Sequence, residues 1–371
     1  MPTLHAKLSA SGSATWLNCP ASVKASEQYP SSTSSFAEEG TCAHELSEIC
    51  LKTGDTPDKY LGKTLKDAPT VKVDAEMVGY VQEYIEYCQS LGGERFVEEQ
   101  VDFRPWVNVG GGFGTSDFIT ITGNVCHIVD LKYGRGLEVY AKENTQAMLY
   151  ALGVYNEFSF MFDIDEFVLH IYQPRRSHFD EWSISTKDLL KWGEWVKERV
   201  ALTQSDDAEF SPGEKQCQWC KHKANCVALQ KYTEDVISSE FDNLDLPDVE
   251  TVNVANVLKH KSLIESWLKA VEHQAYENIM NGEPVEGYKL VAGKSNRKWA
   301  NSKEAENALS ELIGDEAYER KLLSPAKAEK VVGKGKLDEY IIKPDGKPTL
   351  VPITDKRKPI DDVSCEFEEI D

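Results

Sequence analysis

Three short segments carry side chains whose types and spacing suit phosphoryl chemistry. They are Gly114-Thr-Ser-Asp117, Asp130-Leu-Lys132 and Gln146-Ala-Met-Leu-Tyr150. Apolar alternation predicts that Asp117 lies within one strand and Asp130 near the end of the next, with a tight Gly123-Asn124 turn between them. Unpaired carboxylates on buried strands are costly. Two of them on adjacent antiparallel strands repel unless a cation lies between, and hard oxygen ligands of this kind suit Mg²⁺. Lys132 is two residues beyond Asp130, so both side chains leave the strand on one face. An ammonium there can orient or deprotonate an attacking water and stabilise charge that develops at phosphorus. Gln146 and Tyr150 are four apart on a predicted helix, hence on one face, where both can reach a backbone phosphate or sugar. Each fragment alone is common. The order strand, turn, strand, helix carries the weight.

A second constellation is sulfur-rich. The chain has nine cysteines, and Cys217, Cys220 and Cys226 fall close together while the others are scattered. An odd count argues against a disulfide framework and for a reducing compartment. Cys-x-x-Cys fits a tetrahedral metal or an iron–sulfur cluster. Three thiolates are one ligand short. Cys19, in the Trp16-Leu-Asn-Cys-Pro20 turn, is the best fourth candidate, and zinc with His222 as a substitute ligand is the competing reading. The basic Lys221-His222-Lys223 run between the cysteines suits contact with a nucleic-acid backbone.

Asp117, Asp130-x-Lys132 and Gln146-x-x-x-Tyr150 stand in the order of the motifs of the RecB-like branch of the PD-(D/E)XK nucleases, which residues 9–230 resemble. The resemblance implies an α/β fold with a restriction-endonuclease-like core, a mixed central sheet flanked by helices. It implies that the helical His44, in Glu38-Glu-Gly-Thr-Cys-Ala-His44-Glu45, joins Asp117, Asp130 and the Leu131 carbonyl in holding Mg²⁺ or Mn²⁺. Lys132 would then activate or position water, and Gln146 and Tyr150 would place the substrate strand. Cas4-like and AddB-like members hold a [4Fe-4S] cluster with one N-terminal Cys followed by Pro and three C-terminal Cys. By that resemblance Cys19, Cys217, Cys220 and Cys226 hold such a cluster as a structural staple, with Zn²⁺ as the alternative. The whole chain also resembles an uncharacterised phage- and prophage-associated family that adds a C-terminal extension to the nuclease domain. The implied activity is that of a metal-dependent DNA nuclease, an exonuclease working at DNA ends in phage recombination or replication. Its implied partners are DNA, a phage single-strand annealing or replication protein, and further copies of itself. A non-catalytic DNA-processing scaffold is the alternative. A redox protein would leave the strand carboxylates unexplained.

The elements that must position these residues follow from periodicity. Helices are expected at 37–51, 75–91, 141–158 and 186–203, and strands at 95–103, 114–122, 125–132, 166–173 and 181–185. The nuclease-like domain is expected to span 1–235. A polar, acidic stretch at 236–252 reads as a linker. A smaller α+β extension at 253–360 follows, with a long helix at 254–279, a hairpin at 288–299 and short helices at 302–312 and 324–332, and then an acidic tail at 361–371.

With 371 residues, 41% of them apolar, the chain can build more than one core, and wholesale disorder is excluded. No apolar run is long enough to span a membrane, and the first residues lack the apolar core of a secretory signal, so a cytoplasmic location, the host's if phage-encoded, is expected. The net charge of −21 argues at first against a nucleic-acid partner. That charge is uneven, however. Residues 287–360 carry +5 and residues 361–371 carry −6, so overall acidity does not exclude DNA.

Overall fold

The computed structural model of the protein describes residues 7–29, 35–241, 254–291, 302–313 and 318. Five strands form one sheet: β1 Glu94–Asp102, β2 Phe113–Thr122, β3 Val125–Leu131, β4 Glu166–Gln173 and β5 His178–Ser185, side by side in chain order. All neighbours are antiparallel except β3 and β4, which run parallel. The helices among the described residues are α1 Ser13–Asn18, α2 Ser22–Ser26, α3 Ser35–Thr53, α4 Ala75–Ser90, α5 Thr145–Phe158, α6 Thr186–Gln204, α7 Glu214–Gln218, α8 Val227–Phe241, α9 Val254–Met280 and α10 Ser302–Ile313. The fold is therefore α/β, a mixed sheet flanked by helices. None of the described helices is long and apolar enough to cross a membrane.

The parallel β3–β4 pair requires a crossover, and α5 supplies it. Asn144 starts α5 by accepting a hydrogen bond from the Ala147 N–H at 3.1 Å. This places the helix start at Thr145, four residues after the start expected from apolar periodicity. The central strands β3 and β4 read as near-continuous apolar runs because both of their faces are buried. On one face Ile119, Ile121, Ile128, Phe167 and Leu169 pack with α5 and α6 residues such as Leu149, Leu152 and Val196. On the other, Phe118, Val129 and Leu131 pack with Leu46 of α3 and Val81, Tyr84 and Ile85 of α4. β5 begins at His178, earlier than expected, because a turn at Pro174–Arg176 and the left-handed Ser177 fold it straight back along β4.

The chain divides into two compact units, Met1–Leu290 and Val291–Asp371. The first runs past the expected boundary at 235, and α9 explains why. Leu263 is buried with Cys217, Cys226 and Leu229, and Trp267 packs against them. Lys223 Nζ donates to Ser266 Oγ at 2.8 Å. The apolar face of α9 thus covers the cysteine segment, so this helix belongs with the sheet unit and not with the extension. In the second unit α10 occupies the predicted helical stretch. Residues 288–291 have no regular structure. The rest of the expected hairpin, the expected helix at 324–332, most of the expected linker and the acidic tail lie outside the described residues.

α5 lies very close to β1. A Cβ on Gly153 would fall 2.8 Å from Val101 Cβ, with backbone at 3.2 Å. Gly153→Ala should push the crossover helix off the sheet and lower stability by about 1–3 kcal/mol. The measure is the urea midpoint at unchanged m-value, and a wild-type midpoint would contradict this close approach.

Candidate metal and phosphoryl-transfer site

The site forms where β2 and β3 part. Their ladder is regular from Thr122–Val125 to Phe118–Val129 and then stops. Beyond that pair the Asp117 carboxylate replaces the strand, its Oδ2 accepting the Leu131 N–H at 2.7 Å. β3 stays paired on its other side, where the Lys132 N–H donates to the Tyr172 carbonyl at 2.8 Å. The gap leaves Asp130 and Lys132 projecting toward α5.

Asp130, Lys132, Gln146 and Tyr150 form one hydrogen-bonded set. Lys132 Nζ stands 2.8 Å from Asp130 Oδ2 and donates to Gln146 Oε1 at 3.0 Å. Gln146 Nε2 donates to Asp130 Oδ1 at 3.2 Å and to the Tyr150 hydroxyl at 3.1 Å. Gln146 is therefore engaged with the carboxylate and the lysine, and it orients both. Tyr150 is buried, and its ring lies where a Cβ on Gly114 would sit, 2.7 Å from Tyr150 Cε1. The glycine in the Gly-Thr-Ser-Asp segment makes room for that ring.

His44 arrives from α3 on the other side of Asp117, its Nδ1 3.2 Å from Asp117 Oδ1. A third acid completes this side. Glu98 of β1 places Oε1 4.0 Å from the same nitrogen. Among the described residues His44, Glu98 and Asp117 form a group whose ligand atoms all lie within 4.8 Å of one another. Sequence reasoning missed Glu98. Its backbone is left-handed, with φ of +48°, a conformation that costs a non-glycine residue about 1–2 kcal/mol. This residue also breaks strand alternation. Val97 packs with the α3–α4 layer and Val101 with the α5 layer although they are four residues apart. A strict period of two therefore could not reveal which way Glu98 points.

The electrostatics are those of a crowded, poorly solvated anion cluster. Burial opposes charge on Asp117, but His44, Lys132 and the Leu131 N–H outweigh it and hold the carboxyl below its ordinary range. Burial pushes Asp130 up, and Asp117 adds to this, against the pull of Lys132. Burial likewise disfavours charge on Lys132, yet Asp130 and Asp117 keep its pKa above the ordinary lysine value. Burial and the Asp117 charge push Glu98 up to about 7. Burial pulls His44 down, but Asp117, Asp130 and Glu98 together raise it to about 9. Asp130 Oδ2 is buried without a hydrogen bond of good geometry, faced only by the Lys132 ammonium. Excess carboxylate oxygens, an imidazole and an under-satisfied buried oxygen are the donor set that suits a hard divalent cation.

The four cysteines also come together. Cys19 follows α1, which packs on α7, and the thiols of Cys19, Cys217, Cys220 and Cys226 lie near enough to feel one another's charge. The Ser211 N–H donates to Cys19 Sγ and the Gly213 N–H to Cys217 Sγ, each at 3.4 Å. Burial raises Cys19 and Cys220 and pushes Cys217 up to about 11. His222, the alternative ligand, is engaged elsewhere: its Nδ1 pairs with the Tyr29 hydroxyl at 3.1 Å, and its ring stacks on Phe210. Lys223 turns inward to Gln218 and Ser266, so the expected basic run does not act as one surface.

Residues 5–358 match the family model described as "Protein of unknown function (DUF2800)". The chain belongs to this family. A solved protein described as "Crystal structure of SSO0001" aligns with this DUF2800 chain at 14% identity, over 57% of this chain and 83% of the other, with a TM-score of 0.25. A score that low carries no argument about the fold.

A cation that binds this DUF2800 chain through His44 must displace its proton below pH about 9. Mn²⁺ affinity, followed by calorimetry, should therefore rise with pH between about 7 and 9, where Glu98 is already ionised, by up to about tenfold per unit, with proton release. His44→Gln should flatten that rise and Glu98→Gln should weaken binding. An unchanged pH slope in His44→Gln would remove His44 from the ligand set.

Proposed function

We propose that this chain is a Mg²⁺- or Mn²⁺-dependent deoxyribonuclease of the RecB-like PD-(D/E)XK type, acting as an exonuclease at DNA ends. The observation that carries this reading is the Asp130–Lys132–Gln146 hydrogen-bonded set standing beside His44, Glu98 and Asp117. Under this reading His44, Asp117, Asp130 and the Leu131 carbonyl hold the cation, and Glu98 joins them. When bound, the ion supplies Lewis-acid polarisation of the phosphate. The chain's own groups do the rest. Lys132, fixed between Asp130 and Gln146, orients the attacking water and stabilises the negative charge that grows on the phosphoryl oxygens. Gln146 holds both Lys132 and Asp130 in place, and Tyr150 supports Gln146. A non-catalytic scaffold would have little use for a buried carboxylate beside a half-buried lysine, because desolvating that charge opposes folding.

The four thiols are read as ligands of a [4Fe-4S] cluster that joins the first helix of the unit to its last segments. The N–H donors on Cys19 and Cys217 suit cluster thiolates.

End-labelled linear DNA and circular DNA with Mn²⁺ test the activity. Wild type should degrade linear DNA, and Lys132→Ala should lose about 100-fold or more in rate while keeping a native circular dichroism spectrum. Wild-type-like cleavage by Lys132→Ala would overturn the assignment. Anaerobically purified protein should carry about four iron and four sulfide per chain, lost in Cys19→Ser. Zinc in their place would overturn the cluster.

A further inference from the structure

A groove of about 1340 Å³ begins at His44, Lys132 and Gln146 and extends to Trp219 beside the cysteine segment. Four of the chain's eight tryptophans line it: Trp182, Trp192, Trp195 and Trp219. Two of these are open to solvent, Trp195 at 39% and Trp219 at 76% exposure. Exposed indole is an expensive use of apolar surface when it only faces water. Trp192 and Trp195 are three residues apart on α6, share a face, and place their ring centroids 6.4 Å apart. Arg199 stands over the Trp195 ring at 5.9 Å while its Nε donates to the Leu17 carbonyl at 2.6 Å, which fixes the guanidinium beside the ring. Trp195 thus has neighbours that restrict its ring and still offers indole surface to the groove.

The charges along the groove are mixed. Lys132, Lys142 and Lys215 line it, with Lys132 paired to Asp130. Of the acids on its wall, Glu138 is paired with Arg176 at 3.1 Å, while Asp188, which accepts the Ser185 hydroxyl, and Glu143 keep their charge. The tryptophan faces therefore carry the argument: they match an unpaired polynucleotide, whose bases stack on them while its phosphates can meet Lys142 and Lys215. A duplex cannot use such a floor, because its base faces are already covered by their neighbours.

We infer that this groove binds unpaired DNA by stacking its bases on Trp195 and Trp219, leading the strand to the site at Lys132. This rests on the nuclease reading for its occupant and deepens it by naming a single strand as the substrate. The groove and the site share one wall, so a strand seated on the tryptophans is continuous with Lys132 and Gln146.

The test uses the full chain with Ca²⁺ and a fluorescent oligonucleotide, followed by anisotropy. Three probes are compared: the single strand, the same strand in a duplex, and a strand of equal length with abasic sites. Wild type should prefer the single strand. Abasic sites, Trp195→Ala and Trp219→Ala should each weaken binding by about five- to hundredfold. Trp195→Phe should restore most of it, which separates stacking from a folding defect. Equal affinity for duplex, or for the abasic strand, would overturn the inference, as would unaltered binding in both alanine variants. A chain that binds single strands in this manner but cleaves no DNA with any divalent ion would overturn the nuclease reading alone. One that cleaves DNA ends at wild-type rate in both alanine variants would overturn the groove alone.

Discussion

The Asp117 carboxylate occupies the place where a strand hydrogen bond would otherwise form, and the site depends on that substitution. By accepting the Leu131 N–H it satisfies a buried donor that the parted strands would leave unpaired. Its other oxygen faces His44. One side chain thus closes the β2–β3 ladder, opens the gap into which Asp130 and Lys132 project, and draws α3 onto the end of the sheet.

That arrangement concentrates charge where water is scarce. Asp117, Asp130 and Glu98 are carboxyl groups within one small volume, answered by one lysine and one histidine. The consequence is visible in the shifts: Asp130 and Glu98 are pushed up, Asp117 is held down, and His44 retains its proton. In a low-dielectric setting such a set is frustrated unless further positive charge enters. Folding tolerates it because the surrounding core is large and the Gln146 bridge engages Asp130 Oδ1 and Lys132 together. The left-handed Glu98 fits this picture, since local backbone strain brings a third acid to the cluster.

The cysteine segment lies at the other end of the groove. Its helix α7 packs on α1, at the start of the unit, and α9 packs over it. The wall that carries Trp195 is steadied from the same direction, because Arg199 reaches from α6 to the backbone at the end of α1. The order of the groove therefore depends on contacts between segments far apart in the chain.

What the sequence determined by itself is what local periodicity controls. Asp130 and Lys132 share a face because a strand repeats every two residues, and Gln146 and Tyr150 share one because a helix repeats every 3.6. The Gly123-Asn124 turn, the apolar β3 and β4 and the Cys-x-x-Cys spacing were legible for the same reason, as was a mixed sheet flanked by helices. Tertiary structure alone decided which of these elements meet. Glu98 enters the site through a left-handed residue within β1 that breaks the strand's alternation. His222 turns away toward Tyr29 and Phe210, and α9 joins the first unit because Leu263 and Trp267 find apolar surface there. The four tryptophans become one groove wall only when α5, α6 and the cysteine segment pack around the end of the sheet. Spacing along a chain constrains residues within one element. Meetings between elements are decided by which apolar faces bury one another, and that depends on the whole set of long-range contacts.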